Sequence, residues 1–146
     1  MILVDANLLI YAANHGAAEH RAARAWLDGQ LNATARVGLP WPALLAFVRL
    51  AANPAVVRDS VTVCAAWRQV EEWLACDVAW IPLPGPHHPQ ILGRLLGHPH
   101  VTTRLVPDAH LAALAIEHGL TLCSTDGDLA KFPGLKWVNP LATRTA

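Results

Sequence analysis

Charge is scarce in this chain, and neither sign is in excess. Charged residues make up 15% of the sequence, and eleven basic side chains balance eleven acidic ones, for a formal net charge of zero. That excludes a nucleic-acid binder relying on a broad basic surface. A polyanionic partner would have to be held by a local patch or through a metal ion. Cysteine is also sparse. Cys64, Cys76 and Cys123 are far apart, odd in number and form no CxxC, which excludes a disulfide framework and fits a reducing compartment. No apolar run approaches the length of a membrane span. The N-terminus lacks the basic region of a signal peptide, and Asp5 and Asn7 interrupt its apolar stretch. These absences lead to the expectation of a cytoplasmic protein. What is plentiful is apolar: 53% of 146 residues are hydrophobic, enough for one cored domain over 1–146 and too much for disorder.

The opening "MILVDANLLIYAA" reads as a short buried strand over Ile2–Val4, followed at once by a helical pattern from Leu8. "EHRAARAWLDG" has apolar residues at helical spacing and is expected to stop at Gly29. A short strand around Val37–Leu39 leads into a helix through Leu44, Leu45, Val48 and Arg49, ended by Asn53-Pro54. Ser60 is the expected cap of a long helix carrying Trp67, Val70, Trp73 and Leu74 on one face. "VAWIPL" reads as a strand, "PHHPQILGRLLG" as a helix and "HPHVTTRLVP" as a loop. "DAHLAALAIEHG" is then a helix stopped by Gly119, "LTLCS" a buried strand, "TDGDLAKF" a turn with a short helix, and "LKWVN" a last strand. Strands alternating with helices predict an α/β fold whose mostly parallel central sheet is flanked by helices.

Three acids recur at one kind of position. Asp5 ends the first strand, Asp108 opens a helix after a loop, and Asp126, with Asp128 close by, follows the strand "LTLCS". In a parallel sheet such strand ends gather on one edge, where open α/β folds place their ligands. Each acid alone is also a routine helix cap. Together they would repel one another, and the usual remedy is a hard divalent cation held by carboxylates, water and substrate phosphates.

"ILVDANLLIYA" and "PDAHLAALAIEHGLTLCSTDGDLAKF", in this α/β order, resemble the PIN-domain family, and in particular the VapC-type toxins of bacterial toxin–antitoxin pairs. The likeness spans essentially the whole chain. It implies a Mg²⁺- or Mn²⁺-dependent endoribonuclease, a homodimer, and inhibition by a small cognate antitoxin. It also implies catalytic and metal-holding roles for Asp5, Asp108 and Asp126, with Asp128 a further, less essential ligand. Asn7 and Ser124 match the polar residues that support those acids. Cleavage would be metal-assisted hydrolysis of a phosphodiester, leaving a 5′-phosphate and a 3′-hydroxyl. Arg49 is a candidate RNA contact, with a solvated helix position as its plainer reading.

One departure from the family pattern stands out. The usual helix Glu would fall most naturally at Ala46, or less naturally at Pro42, and no acid occurs between Asp28 and Asp59. Either the aspartates work without it, or an acid from elsewhere fills in, or catalysis is weak or absent and the chain is an inactive RNA- or protein-binding relative. The first is preferred.

The remaining residues point less sharply. His87, His88, His98 and His100 lie among prolines without metal-ligand spacing, so solvent or substrate contact is expected rather than zinc. His110 and His118 read as surface residues of the Asp108 helix. Trp26, Trp67 and Trp73 read as core or interface, and Trp41 as core rather than a base-stacking platform. The helices bearing Trp26 and Trp67 offer apolar faces on which an antitoxin helix could lie. A haloacid-dehalogenase-type phosphatase is excluded because the place of its second Asp is Asn7. A receiver-type signalling domain is excluded because its acidic pair and later Lys are missing.

Overall fold

The computed structural model describes residues 1–142. Its elements are β1 (Ile2–Val4), α1 (Ala6–Ala13), α2 (His20–Leu31), β2 (Val37–Gly38), α3 (Trp41–Ala51), α4 (Val63–Leu74), β3 (Ala79–Trp80), α5 (His88–Leu96), α6 (Val106–His118), β4 (Thr121–Cys123) and β5 (Trp137–Val138). Two short 3₁₀ turns, Thr103–Leu105 and Gly127–Lys131, precede α6 and follow β4. The strands form one sheet in the order β3-β2-β1-β4-β5, and every pairing is parallel. The expected α/β fold is therefore present, with an all-parallel sheet.

Alternation along the central strands sends side chains to two cores. Leu3 and Leu122, paired in register, face the layer of α5 and α6, whereas Val4 and Cys123, the next pair along, face α1 to α4. Leu8, Leu9, Leu27, Leu44, Phe47 and Val70 fill the second layer, and Ala109, Ala112, Leu114 and Leu129 the first. Alanines let α6 lie close to the strands, since short side chains reduce the distance between layers. Gly38 in β2 allows close packing against β1 and the Pro82 segment. A Cβ there would stand 3.1 Å from both the Ile2 carbonyl oxygen and Leu3 Cδ1, and 3.2 Å from Pro82.

Several boundaries differ from the sequence expectation. Helix α2 continues past Gly29 to Leu31. Leu27 and Leu31 are both buried one turn apart, and their burial outweighs the ~1 kcal/mol that glycine costs in a helix. Thr62, not Ser60, caps α4, its hydroxyl accepting from Ala65 N at 3.0 Å. The strand expected over "VAWIPL" keeps only Ala79–Trp80, because Pro82 brings no N–H to a ladder. Helix α6 begins at Val106 with Pro107 in its first turn, a place where the missing N–H costs nothing, so Asp108 lies within that turn rather than opening it. Gly119 ends α6 as expected, in the left-handed conformation at φ 67°.

Candidate active site

Parallel pairing of β2, β1 and β4 brings their C-terminal ends to one edge, and the sequence puts Asp5 and Ser124 directly after β1 and β4. Asp5 is the N-cap of α1. Its Oδ1 accepts from Ala6 N at 2.7 Å, so capping, the plainer reading of this residue, is fulfilled. Its other oxygen belongs to a second network. Ser124, fully buried, donates its hydroxyl to Asp5 Oδ2 at 2.7 Å. The same hydroxyl oxygen accepts from Asn7 Nδ2 and from Asp126 N, each at 3.0 Å. Asn7 completes the link by accepting from Thr125 N at 3.3 Å. Asp126 then accepts from Asp128 N at 2.9 Å, which starts the 3₁₀ turn. Trp137, on β5, donates its indole N–H to the Ser124 carbonyl at 3.1 Å, closing the turn from the far side. Asp5, Asn7, Ser124 and Asp126 are thus held as one hydrogen-bonded unit spanning both ends of the chain.

Electrostatics joins Asp108 to this unit. Burial, followed by the charges of Asp5, Asp126 and Asp128, pushes its carboxyl up to about 6, with Arg104 opposing. Burial also raises Asp5 above its ordinary range, against the Ser124 and Ala6 hydrogen bonds and with the help of Asp126. Carboxylates that raise one another's pKa are an unneutralised negative cluster. All-oxygen donors of this kind suit Mg²⁺ or Mn²⁺. Among the described residues no group of three or more His, Cys, Asp or Glu side chains is already drawn together as ligands of one ion. Mg²⁺ does not require such a cage, since it binds through one or two carboxylates together with waters and substrate phosphates.

Asp128 is differently occupied. Its Oδ2 meets Arg104 Nη2 at 2.9 Å and its Oδ1 meets Lys131 Nζ at 3.0 Å, and these cations hold its carboxyl below the usual range. Sequence reading passed over Arg104 and Lys131. The available signal was spacing, with Lys131 three residues after Asp128 and Arg104 four before Asp108. Arg49 is exposed in the last turn of α3 and pairs with none of these acids among the described residues. Ala46 is half-buried on α3 and Pro42 is exposed, and the acids that raise the Asp108 carboxyl are Asp5, Asp126 and Asp128.

The histidines divide. His87 and His100 are exposed, as expected. His88 is not: it is buried, and its Nε2 lies 3.1 Å from His110 Nδ1, so that α5 and α6 are joined by an imidazole pair. His110 is accordingly half-buried rather than a surface residue. His118 turns inward to the Leu83 carbonyl at 2.7 Å. Trp73 is core and packs on Phe47 at 4.8 Å. Trp41, expected in the core, is 40% exposed and stacks on Trp67 at the surface.

Comparison with known proteins identifies the family of this fold. Residues 2–135 match the family model of the PIN domain. The chain is 43% identical over 142 residues to "Ribonuclease VapC37" of Mycobacterium tuberculosis (strain H37Rv), covering 97% of this chain and 99% of that protein. It is 38% identical over 141 residues to "Ribonuclease VapC33" of M. tuberculosis (strain CDC 1551), with coverage of 97% and 99%. Its fold superposes with a TM-score of 0.71 on a chain of VapBC2 from Rickettsia felis, solved bound to a DNA fragment from their promoter, at 16% identity and with 95% and 98% of the two chains covered. The chain belongs to the PIN-domain family and is homologous along its length to the VapC ribonucleases.

Proposed function

We propose that this chain is a Mg²⁺- or Mn²⁺-dependent endoribonuclease toxin of the VapC type, a single-domain protein that works in the cytoplasm as a homodimer and is restrained by a cognate antitoxin. The observation that carries the reading is Asp108. Its carboxyl is pushed up to about 6 by burial and by the charges of Asp5, Asp126 and Asp128, an arrangement that costs stability unless a cation is bound. Asp5, Asp108 and Asp126 would hold the ion. When bound, it supplies an acidified water and stabilises charge on the scissile phosphate. Ser124 and Asn7 fix the direction of the Asp5 carboxylate, a role that outer partners commonly play around metal ligands.

Partner surfaces are available for the other parts of the proposal. A groove of about 260 Å³ between α1, α3 and α4, lined by Ile10, Ala13, Phe47, Ala51 and Ala66 with Asn14, Asp59 and Gln69 among its polar residues, suits an apolar side chain projecting from an amphipathic antitoxin helix. Trp41, Leu45, Val63 and Trp67 are exposed on α3 and α4 and suit a second copy of the chain. No helix among the described residues is long and apolar enough to cross a membrane.

Ala46 supports a second reading, an inactive binding protein that has lost the helix Glu. The aspartate cluster weighs against it, because a chain without catalysis gains nothing from carboxylates that destabilise one another. The deciding experiment incubates antitoxin-free protein with bacterial total RNA and Mg²⁺ or Mn²⁺, with EDTA and Asp108→Asn as controls. Discrete cuts absent from both controls are expected. A folded protein that makes no cuts with either metal would establish the inactive binder.

A further inference from the structure

The three residues of the Asp128 ion-pair group come from the two 3₁₀ turns flanking α6 and β4. In a 3₁₀ turn residues three apart lie one above the other, so Asp128 and Lys131 meet within one turn, and Arg104 is brought from the other. One carboxylate against two cations leaves a single positive charge in surplus. That surplus is tied to the acidic site through Arg104, whose charge acts on Asp108, and through the Asp128 N–H, which donates to Asp126, in a chain whose formal net charge is zero.

Arg104 is close enough for its charge to act on the Asp108 carboxyl, yet its partner is Asp128, and its side chain remains 69% exposed. A guanidinium held through one nitrogen keeps the other donors of its fork for a second ligand. Lys131 is likewise 44% exposed. Both cations are ion-paired to Asp128 and face solvent, and Arg104 borders the acidic site. The carboxylates there repel every phosphate that a metal does not itself contact, so a polyanionic strand needs fixed positive charge alongside them.

We propose that Arg104 and Lys131, both held by Asp128, form a binding site for an RNA backbone phosphate next to the one that is cut. The proposal rests on the nuclease reading above, and it makes Asp128 a positioning residue for the two cations rather than a metal ligand. The alternative account is an ordinary solvated ion pair. Arg24 and Asp28 on α2, 3.8 Å apart and 59% exposed each, are such a pair and supply the control.

The test measures fluorescence anisotropy of a short labelled single-stranded RNA over a salt series, with Ca²⁺ in place of Mg²⁺, followed by cleavage kinetics in Mg²⁺. Arg104→Ala and Lys131→Ala are each expected to weaken binding about tenfold at low salt and to reduce the salt slope by about one. KM rises while kcat at saturating Mg²⁺ stays close to that of the unaltered chain. Arg104→Lys recovers the slope but only part of the affinity, because lysine restores the charge and not the fork. Arg24→Ala changes neither. Asp128→Asn keeps the Mn²⁺-dependent rise in melting temperature that Asp108→Asn loses. If the unaltered chain cuts RNA and both cation variants bind and cut like it, the phosphate site is overturned and the nuclease reading stands. If the unaltered chain cuts nothing while Arg104→Ala still loses affinity and slope, the nuclease reading fails and the site stands. Absence of RNA binding by the unaltered chain overturns the site, and loss of the Mn²⁺ effect in Asp128→Asn overturns its positioning role.

Discussion

Ser124 donates its buried hydroxyl to Asp5 Oδ2 at 2.7 Å, linking residues 119 apart in the chain. The contact exists because β1 and β4 are parallel neighbours in register, Val4 opposite Cys123, so that the next residue on each strand reaches the same edge. A hydroxyl that gives one hydrogen bond and accepts two is fully used, and among small side chains only serine and threonine have that capacity.

Ser124→Ala therefore removes one donor from Asp5 and one acceptor from both Asn7 and Asp126. Unsatisfied buried groups cost roughly 1–3 kcal/mol, and loss of an outer partner lowers metal affinity or activity about 10- to 100-fold. Urea unfolding and RNA cleavage are expected to show both losses. A variant as active as the unaltered chain would mean that Asp5 does not depend on Ser124 for its orientation.

Asp108 gives a pH dependence whose sign follows from burial and like charge. Its carboxyl ionises at the ordinary 3.8 when unfolded and at about 6 in the folded chain. Between these values the folded state holds the extra proton, so raising the pH through the window lowers stability. Asp5, raised in the same direction, adds to the trend. Thermal melts in EDTA should accordingly show the advantage of Asp108→Asn over the unaltered chain growing from about pH 4 to about pH 7. Mn²⁺ should abolish that advantage at the upper end by favouring the ionised carboxylates. An advantage independent of pH would mean that Asp108 is not coupled to its neighbours.

The cluster was legible in the sequence because it depends on local order. Apolar runs mark the strands, acids follow them, and parallel pairing collects strand ends on one edge. What was not legible depends on contacts between distant segments. Gly29 reads as a helix stop, but burial of Leu31 carries α2 past it. His88 sits among prolines and reads as solvent-facing, but packing of α5 on α6 buries it against His110. Trp41 looks like core by composition, yet the first turn of α3 leaves it at the surface. Asp128 matches a family acid by position, while its two cation partners come from separate turns that only the fold brings together.

Leu45 is 58% exposed and Val63 64%, beside the stacked Trp41 and Trp67. An apolar surface of this kind is covered in solution when a partner is available, at about 25 cal/mol per Å² of apolar area removed from water. Leu45→Glu is expected to shift the chain from dimer to monomer in sedimentation velocity. Its melting temperature at high dilution should change little, because Leu45 contributes nothing to the core. A variant that remains dimeric would place the dimer interface on another face.

Ala46 tests whether three aspartates suffice. It lies half-buried, with Ala43, Leu44 and Phe47 of the same helix facing the core. Ala46→Glu adds a carboxylate where the family resemblance most naturally places its helix Glu, and affinity for a hard cation rises with the number of charged ligands. The variant is expected to reach half-maximal cleavage at about tenfold lower Mg²⁺, with little change in rate at saturating metal if Asp5, Asp108 and Asp126 suffice to hold the ion. If cleavage appears only in Ala46→Glu, the unaltered chain is the inactive form and the alanine is the reason. If the variant shows the same metal dependence as its parent, residue 46 does not face the ion, and the missing helix Glu does not account for the metal dependence of this chain.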